Sequence, residues 1–133
     1  MRTIRDVMSV DIEVLRTTET AADAACFLAT HGDEAVPLCL SDDSLAGMVS
    51  NRDIVTQVVA KGREPREVSL AEFAEADGVV ALDIDVTLDD AVAVMCRHHR
   101  ARLPVTEAAR VVGVVTRRDV ARSISFQSPW ADS

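Results

Sequence analysis

Two short segments place a hydroxyl, a carboxylate and basic side chains at the same spacing: Ser50-Asn51-Arg52-Asp53 and Thr116-Arg117-Arg118-Asp119. Each follows a glycine and two apolar residues (Gly47-Met48-Val49 and Gly113-Val114-Val115) and precedes an apolar helical pattern, so each is expected to join a strand end to a helix start. A hydroxyl at the N-cap with an acid three residues on satisfies free backbone N–H groups reciprocally, and this capping box needs no ligand. The same position also suits anion chemistry, because the free N–H groups and the helix dipole attract negative charge. On that reading Asp53 or Asp119 accepts both hydroxyls of a ribose, and Ser50 or Thr116 donates to a sugar or phosphate. Arg52, Arg117 and Arg118 would neutralise phosphate through forked hydrogen bonds. A carboxylate repels a phosphate beside it, so the aspartates are expected to face the sugar.

The elements that must position these residues are duplicated. Thr20, Ala24, His31 and Pro37 recur 67 positions later as Thr87, Ala91, His98 and Pro104, whereas Gly47 and Arg52 recur 66 positions later as Gly113 and Arg118. The first copy therefore carries one extra residue, which falls in the turn-forming run Ser41-Asp42-Asp43-Ser44. Thr3-Ile4-Arg5-Asp6-Val7 likewise matches Ser69-Leu70-Ala71-Glu72-Phe73. The organisation expected is repeat 1 over 3–62, a polar connector over 63–67, repeat 2 over 68–124 and a tail over 125–133 that contains Pro129 and Trp130. Each repeat reads as an opening helical turn (Ile4 to Met8, Leu70 to Ala74) and a short strand (Ile12 to Leu15, Val79 to Leu82). A helix, a two-stranded hairpin and a closing helix (Arg52 to Lys61, Arg118 to Ile124) then follow. The fold class is α/β (α+β), with two β-α-β-β-α repeats related by a pseudo-twofold axis and packed through their small sheets into one module. Thr20 with Asp23, and Thr87 with Asp90, supply the caps of the first helix in each copy. His31 and His98 stand where those helices end and can bond free carbonyls.

Composition narrows the function classes. Repeats of about 60 residues are individually marginal and gain core by packing together. Hydrophobic residues make up 48% of the 133 residues but aromatics only 3%, so the core must be built from small aliphatic side chains at close approach. A net charge of −8 opposes binding to nucleic acid or an anionic membrane. No stretch reaches the roughly 20 apolar residues of a membrane span, and no signal-peptide core is seen, so a cytoplasmic protein is expected. Three cysteines without a C-x-x-C pair argue against a disulfide framework. Cys26 and Cys96 are expected to be buried thiols on helices, and Cys39 to lie in a strand. Cys96-Arg97-His98-His99 does not show the four convergent ligands of a zinc site, and no phosphate loop, nucleophile elbow or H-E-x-x-H pattern occurs, so neither a metal site nor an enzyme is expected.

A proline before a hairpin followed by G-h-h-[ST]-x-x-D entering a helix, twice in tandem, resembles a pair of cystathionine-β-synthase (CBS) domains, in particular the small stand-alone pairs of actinobacteria. The resemblance implies a regulatory module with related clefts for an adenosine-containing ligand of the AMP, ADP, ATP, S-adenosylmethionine or NAD type, and a homodimer. Carried over by motif, Asp53 and Asp119 would hold ribose hydroxyls and Ser50 and Thr116 would touch ribose or phosphate. Ile12 and Val79, with the backbone around Val36 and Leu103, would flank the base. Asn51 in place of Arg117 makes the second copy the better anion binder. Output would pass through an effector protein or a dimer rearrangement. The alternatives are a ligand-free interaction module, or a redox- or zinc-responsive stress protein.

Overall fold

The computed structural model describes residues 2–32, 35–75 and 79–127. The expected tail segment with Pro129 and Trp130 lies outside the described residues. After a 3-10 turn (Ile4–Asp6) come β1 (Leu15–Arg16), α1 (Ala21–His31), β2 (Ala35–Cys39) and β3 (Leu45–Ser50). Then α2 (Asn51–Ile54) runs on as a π-helical turn (Val55–Val59), and two 3-10 turns follow (Pro65–Glu67, Leu70–Phe73). The second copy supplies β4 (Leu82–Asp83), α3 (Leu88–His98), β5 (Arg102–Glu107), β6 (Arg110–Thr116) and α4 (Arg117–Gln127). The strands form two three-stranded sheets, β1-β2-β3 and β4-β5-β6. In each, the first pair is parallel and joined through a helix, and the second is an antiparallel hairpin. The repeated β-α-β-β-α order and the α+β class agree with the expectation.

The first strand of each copy is shorter than expected and shifted toward the C-terminus. Only Leu15 and Leu82, which pair with Leu38 and Val105, bring a buried side chain into the ladder together with one following residue. In α1, Ala21, Ala24 and Leu28 face the core, and in α3 Leu88, Ala91 and Met95 do so, the i, i+3, i+7 stripe of a half-buried helix. Thr20 Oγ1 accepts from the Asp23 N–H at 3.2 Å while the Thr20 N–H donates to Asp23 at 2.9 Å; Thr87 Oγ1 accepts from the Asp90 N–H at 3.2 Å. α1 stops at Gly32, whose φ of 67° lets its N–H reach Leu28 O. His31 Nδ1 lies 2.9 Å from Phe27 O, with the imidazole stacked on the Phe27 ring, so the histidine does serve the helix end.

Cys26 and Cys96 are exposed, not buried as their helical setting suggested. The buried stripe of α1 takes positions 21, 24 and 28, and that of α3 takes 88, 91 and 95, which leaves both thiols on other faces.

Packing divides the chain differently from its sequence repeats. One compact unit joins the residues up to Ile12 with those from Val80 onward, and the other is Glu13–Val79. In the first, Ile4 is fully buried with Leu82, Leu103, Val105 and Val115, and its N–H donates to Val86 O at 2.9 Å. Ser9 bridges Val114 of β6 through two backbone bonds, of 2.9 and 3.0 Å. In the second unit, Val68 and Leu70 enter the core of Leu15, Leu28, Leu38 and Val49. The Ala21 N–H donates to Val68 O at 2.8 Å and the Glu75 N–H to Ala46 O at 2.7 Å. The boundaries at 62 and 68 thus describe the duplicated sequence, while each opening segment completes the core of the opposite copy. Sequence period fixes register, not docking partner.

That docking explains the motif glycines. A Cβ on Gly113 would stand 2.7 Å from Ser9 O and 2.9 Å from Met8 Sδ, and one on Gly47 would stand 2.9 Å from Phe73 O. Both positions are kept bare by the close approach of the docked segment.

Candidate functional site

In both copies the S/T-x-x-D element starts a helix at the end of the hairpin's second strand. The Asp53 N–H donates to Ser50 Oγ at 3.1 Å and the Ser50 N–H to Asp53 Oδ2 at 2.9 Å. The Asp119 N–H donates to Thr116 Oγ1 at 3.1 Å and the Thr116 N–H to Asp119 Oδ2 at 3.0 Å. The capping box is therefore real, and the same device recurs at Thr20 with Asp23 and at Thr3 with Asp6. Asp6 and Asp23 are exposed, whereas Asp53 and Asp119 are half-buried. A carboxylate has about four lone-pair sites, and the cap takes one of them. Helix capping and ribose binding are compatible uses of one side chain, not rival ones.

Asp119 lines a cavity of about 330 Å³, together with Arg2, Val7, Arg122 and Ser123. All five residues belong to the unit formed by the N-terminal segment and the second copy. The volume lies at the lower end of the range of small-ligand pockets, about 300–1,000 Å³. From α4 come Asp119, Arg122 and Ser123, at i, i+3 and i+4 and hence on one helical face. Arg2 and Val7 flank the 3-10 turn Ile4–Asp6, which the burial of Ile4 anchors.

The other expected residues are distributed as follows. Asp53 and Ser50 sit at the start of α2 in the Glu13–Val79 unit, with Arg52 exposed beside them, and they do not line this cavity. Arg117 and Arg118 are exposed and are not among the lining residues either. The Arg117 guanidinium donates to Arg100 O at 3.4 Å, and its backbone N–H donates to Ala101 O at 2.7 Å. The cations beside Asp119 are instead Arg122, one helical turn on, and Arg2. Val36 and Leu103 are buried at 2% exposure, each within its unit's core, and neither lines this cavity. Ile12 and Val79 are half-buried at the ends of their respective units.

Sequence reasoning did not single out Arg2, Val7, Arg122 or Ser123 as site residues. A signal was present: Val120 and Ser123 share the buried side of α4, and a serine on such a stripe calls for a partner.

Cys39 is fully buried in β2, and desolvation by that burial pushes its thiol up to about 11, with Arg16 pulling the other way. A thiol held protonated is a poor nucleophile and metal ligand. Among the described residues no group of three or more His, Cys, Asp and Glu side chains converges to hold a metal ion, and no helix is long and apolar enough to cross a membrane.

The fold and its paired motif agree with known proteins. The model of the CBS domain family matches residues 4–60 and again 74–125. The chain belongs to the CBS domain family. It is 35% identical over 124 residues to Hypoxic response protein 1 of Mycobacterium tuberculosis, covering 93% of this chain and 86% of that protein. A crystal structure of Hypoxic Response Protein I with two coordinated zinc ions superposes with a TM-score of 0.83 at 34% identity, over 91% of this chain and 98% of the other. The structure of CBSX2 in complex with AMP superposes with a TM-score of 0.78 at 20% identity, over 96% of this chain and all of that one, which shows the shared fold. The resemblance read from the paired G-h-h-[ST]-x-x-D motif is thereby shown, for the family and for its mycobacterial relative.

Proposed function

We propose that the protein is a regulatory module that binds an adenosine-containing ligand through Asp119, and passes the signal to an effector protein or through rearrangement of a homodimer. The observation that carries this reading is a half-buried carboxylate at a helix start, with one cap bond made, facing a cavity of ligand size. The ribose diol donates to the remaining lone pairs of Asp119, and the Thr116 hydroxyl, which accepts from the Asp119 N–H, keeps its own proton to donate. The AMP complex of a protein with the same fold supports the choice of adenosyl ligands. A binding role also fits the absence of any sequence pattern for catalysis. Ligand stabilises whichever conformation it binds better, and so biases contacts with a partner. The alternative of a zinc-responsive protein draws on the two zinc ions coordinated in the crystal structure of Hypoxic Response Protein I.

Calorimetric titration with AMP, ADP, ATP, S-adenosylmethionine and NAD tests the proposal. Saturable binding of at least one, lost in Asp119→Ala with the melting curve of a folded protein, supports it. Silence across the panel at millimolar ligand favours a ligand-free interaction module.

A further inference from the structure

Ser123 is 7% exposed, and its Oγ has no hydrogen-bond partner among the described residues. A serine within a helix can satisfy its hydroxyl by bonding the carbonyl four residues back, and Ser123 does not. A buried unsatisfied hydroxyl is unusual enough in a folded protein to need a cause. Ser123 itself lines the Asp119 cavity, so rotation about its Cα–Cβ bond can carry the buried hydroxyl toward it. The two cations lining the same cavity, Arg2 and Arg122, are exposed and have no ion pair among the described residues, and neither bonds Asp119. Two guanidinium groups and one carboxylate leave the lining with a net positive charge, next to a hydroxyl in need of a partner.

We infer that the cavity selects the phosphorylated form of its adenosyl ligand: Arg2 and Arg122 clamp the phosphate from two sides while the Ser123 hydroxyl donates to a phosphate oxygen. This rests on the reading of Asp119 as the ribose-binding group. The carboxylate holds the sugar at one end of the α4 face, and the phosphate lies one turn along, over residues 122 and 123. An anionic oxygen satisfies the orphan hydroxyl through a charge-assisted bond, the stronger kind. Forked guanidinium groups match the geometry of phosphate oxygens. S-adenosylmethionine, whose sulfonium and ammonium outweigh its one carboxylate, brings a net positive charge to two guanidinium groups where AMP brings a dianionic phosphate.

The test is a titration of AMP, adenosine and S-adenosylmethionine against the full chain and the variants Arg2→Gln, Arg122→Gln, Ser123→Ala and Asp119→Ala. The wild type should bind AMP about tenfold or more tighter than adenosine, and S-adenosylmethionine weakest. Arg122→Gln, Arg2→Gln and Ser123→Ala should each weaken AMP several-fold while leaving adenosine within about twofold. Because Ser123→Ala removes a group without a partner, the ligand-free variant should melt no lower than the wild type. Adenosine or S-adenosylmethionine binding as tightly as AMP, with Asp119→Ala still abolishing all three, overturns the phosphate clamp and leaves the adenosyl reading standing. Equal loss of AMP and adenosine in the arginine and serine variants also overturns the clamp. No binding of any of the three, or binding indifferent to Asp119→Ala, overturns the underlying reading itself.

Discussion

Replacing Gly113 by alanine adds one methyl group where the structure has no room for it. The new Cβ would lie 2.7 Å from Ser9 O and 2.9 Å from Met8 Sδ. The sulfur ends a flexible side chain and can swing away. The Ser9 carbonyl cannot, because it accepts the Val114 N–H at 3.0 Å while the Ser9 N–H donates to Val114 O at 2.9 Å. Relief requires the segment to lift from β6. Overpacking costs about 1–3 kcal/mol, and each backbone bond stretched or lost adds about 0.5–1.5 kcal/mol. A total of about 2–4 kcal/mol is expected, a large share of the roughly 5–15 kcal/mol that holds a domain folded. With an unfolding entropy of about 2.1 cal/mol/K per residue, this lowers the melting temperature by about 7–14 °C. Differential scanning calorimetry of Gly113→Ala reads the shift directly. Gly62→Ala is the control, since Gly62 has a φ of 66° with nothing within 4 Å of its would-be Cβ, and costs only the left-handed strain of about 1 kcal/mol. A Gly113→Ala melt no lower than that of Gly62→Ala would refute the account of the docked N-terminal segment. The same segment carries Arg2 and Val7, so its displacement should also weaken ligand binding at Asp119.

The cysteines give a paired chemical prediction. Under native conditions a thiol reagent should modify Cys26 and Cys96 promptly and Cys39 only after unfolding; prompt labelling of Cys39 would contradict its placement in β2. The folded state holds the Cys39 proton up to about pH 11, against 9.0 for the ordinary thiol, so the unfolded chain releases it first. Its contribution is intact below about pH 9 and is lost as the pH rises through about 11. Denaturant melts from pH 8 to 11 should show that alkaline loss in the wild type and a shallower one in Cys39→Ala.

Much of the architecture was legible because it is written twice. Paired positions such as Thr20 with Thr87 and Pro37 with Pro104 fixed the repeat, and the Thr20–Asp23 cap marked the start of the first helix. The capping chemistry at Ser50 and Thr116 was also readable, since N-cap signals are local. What failed to show was long-range. No local pattern says that Ile4 docks against β4, β5 and β6 and not against its own copy, nor that Gly113 is bare to admit Ser9. The arginines nearest the motif in sequence, Arg117 and Arg118, drew attention for adjacency, yet helical spacing puts Arg122 and Ser123 on the face of Asp119. The exposure of Cys26 and Cys96 was missed because residue type was weighed above position on the helix.

The central claim is that Asp119 grips a ribose, and it is tested most directly by coupling the carboxylate to the sugar hydroxyl it should hold. Affinities of AMP and 2′-deoxy-AMP are measured by calorimetry for the wild type and for Asp119→Ala. A hydrogen bond to a charged group is worth about 1.5–3 kcal/mol, so the wild type should prefer AMP by roughly 10- to 100-fold. In Asp119→Ala that preference should collapse to about twofold or less, as both ligands lose the same partner. An unchanged AMP preference in the variant, or none in the wild type, would contradict the account.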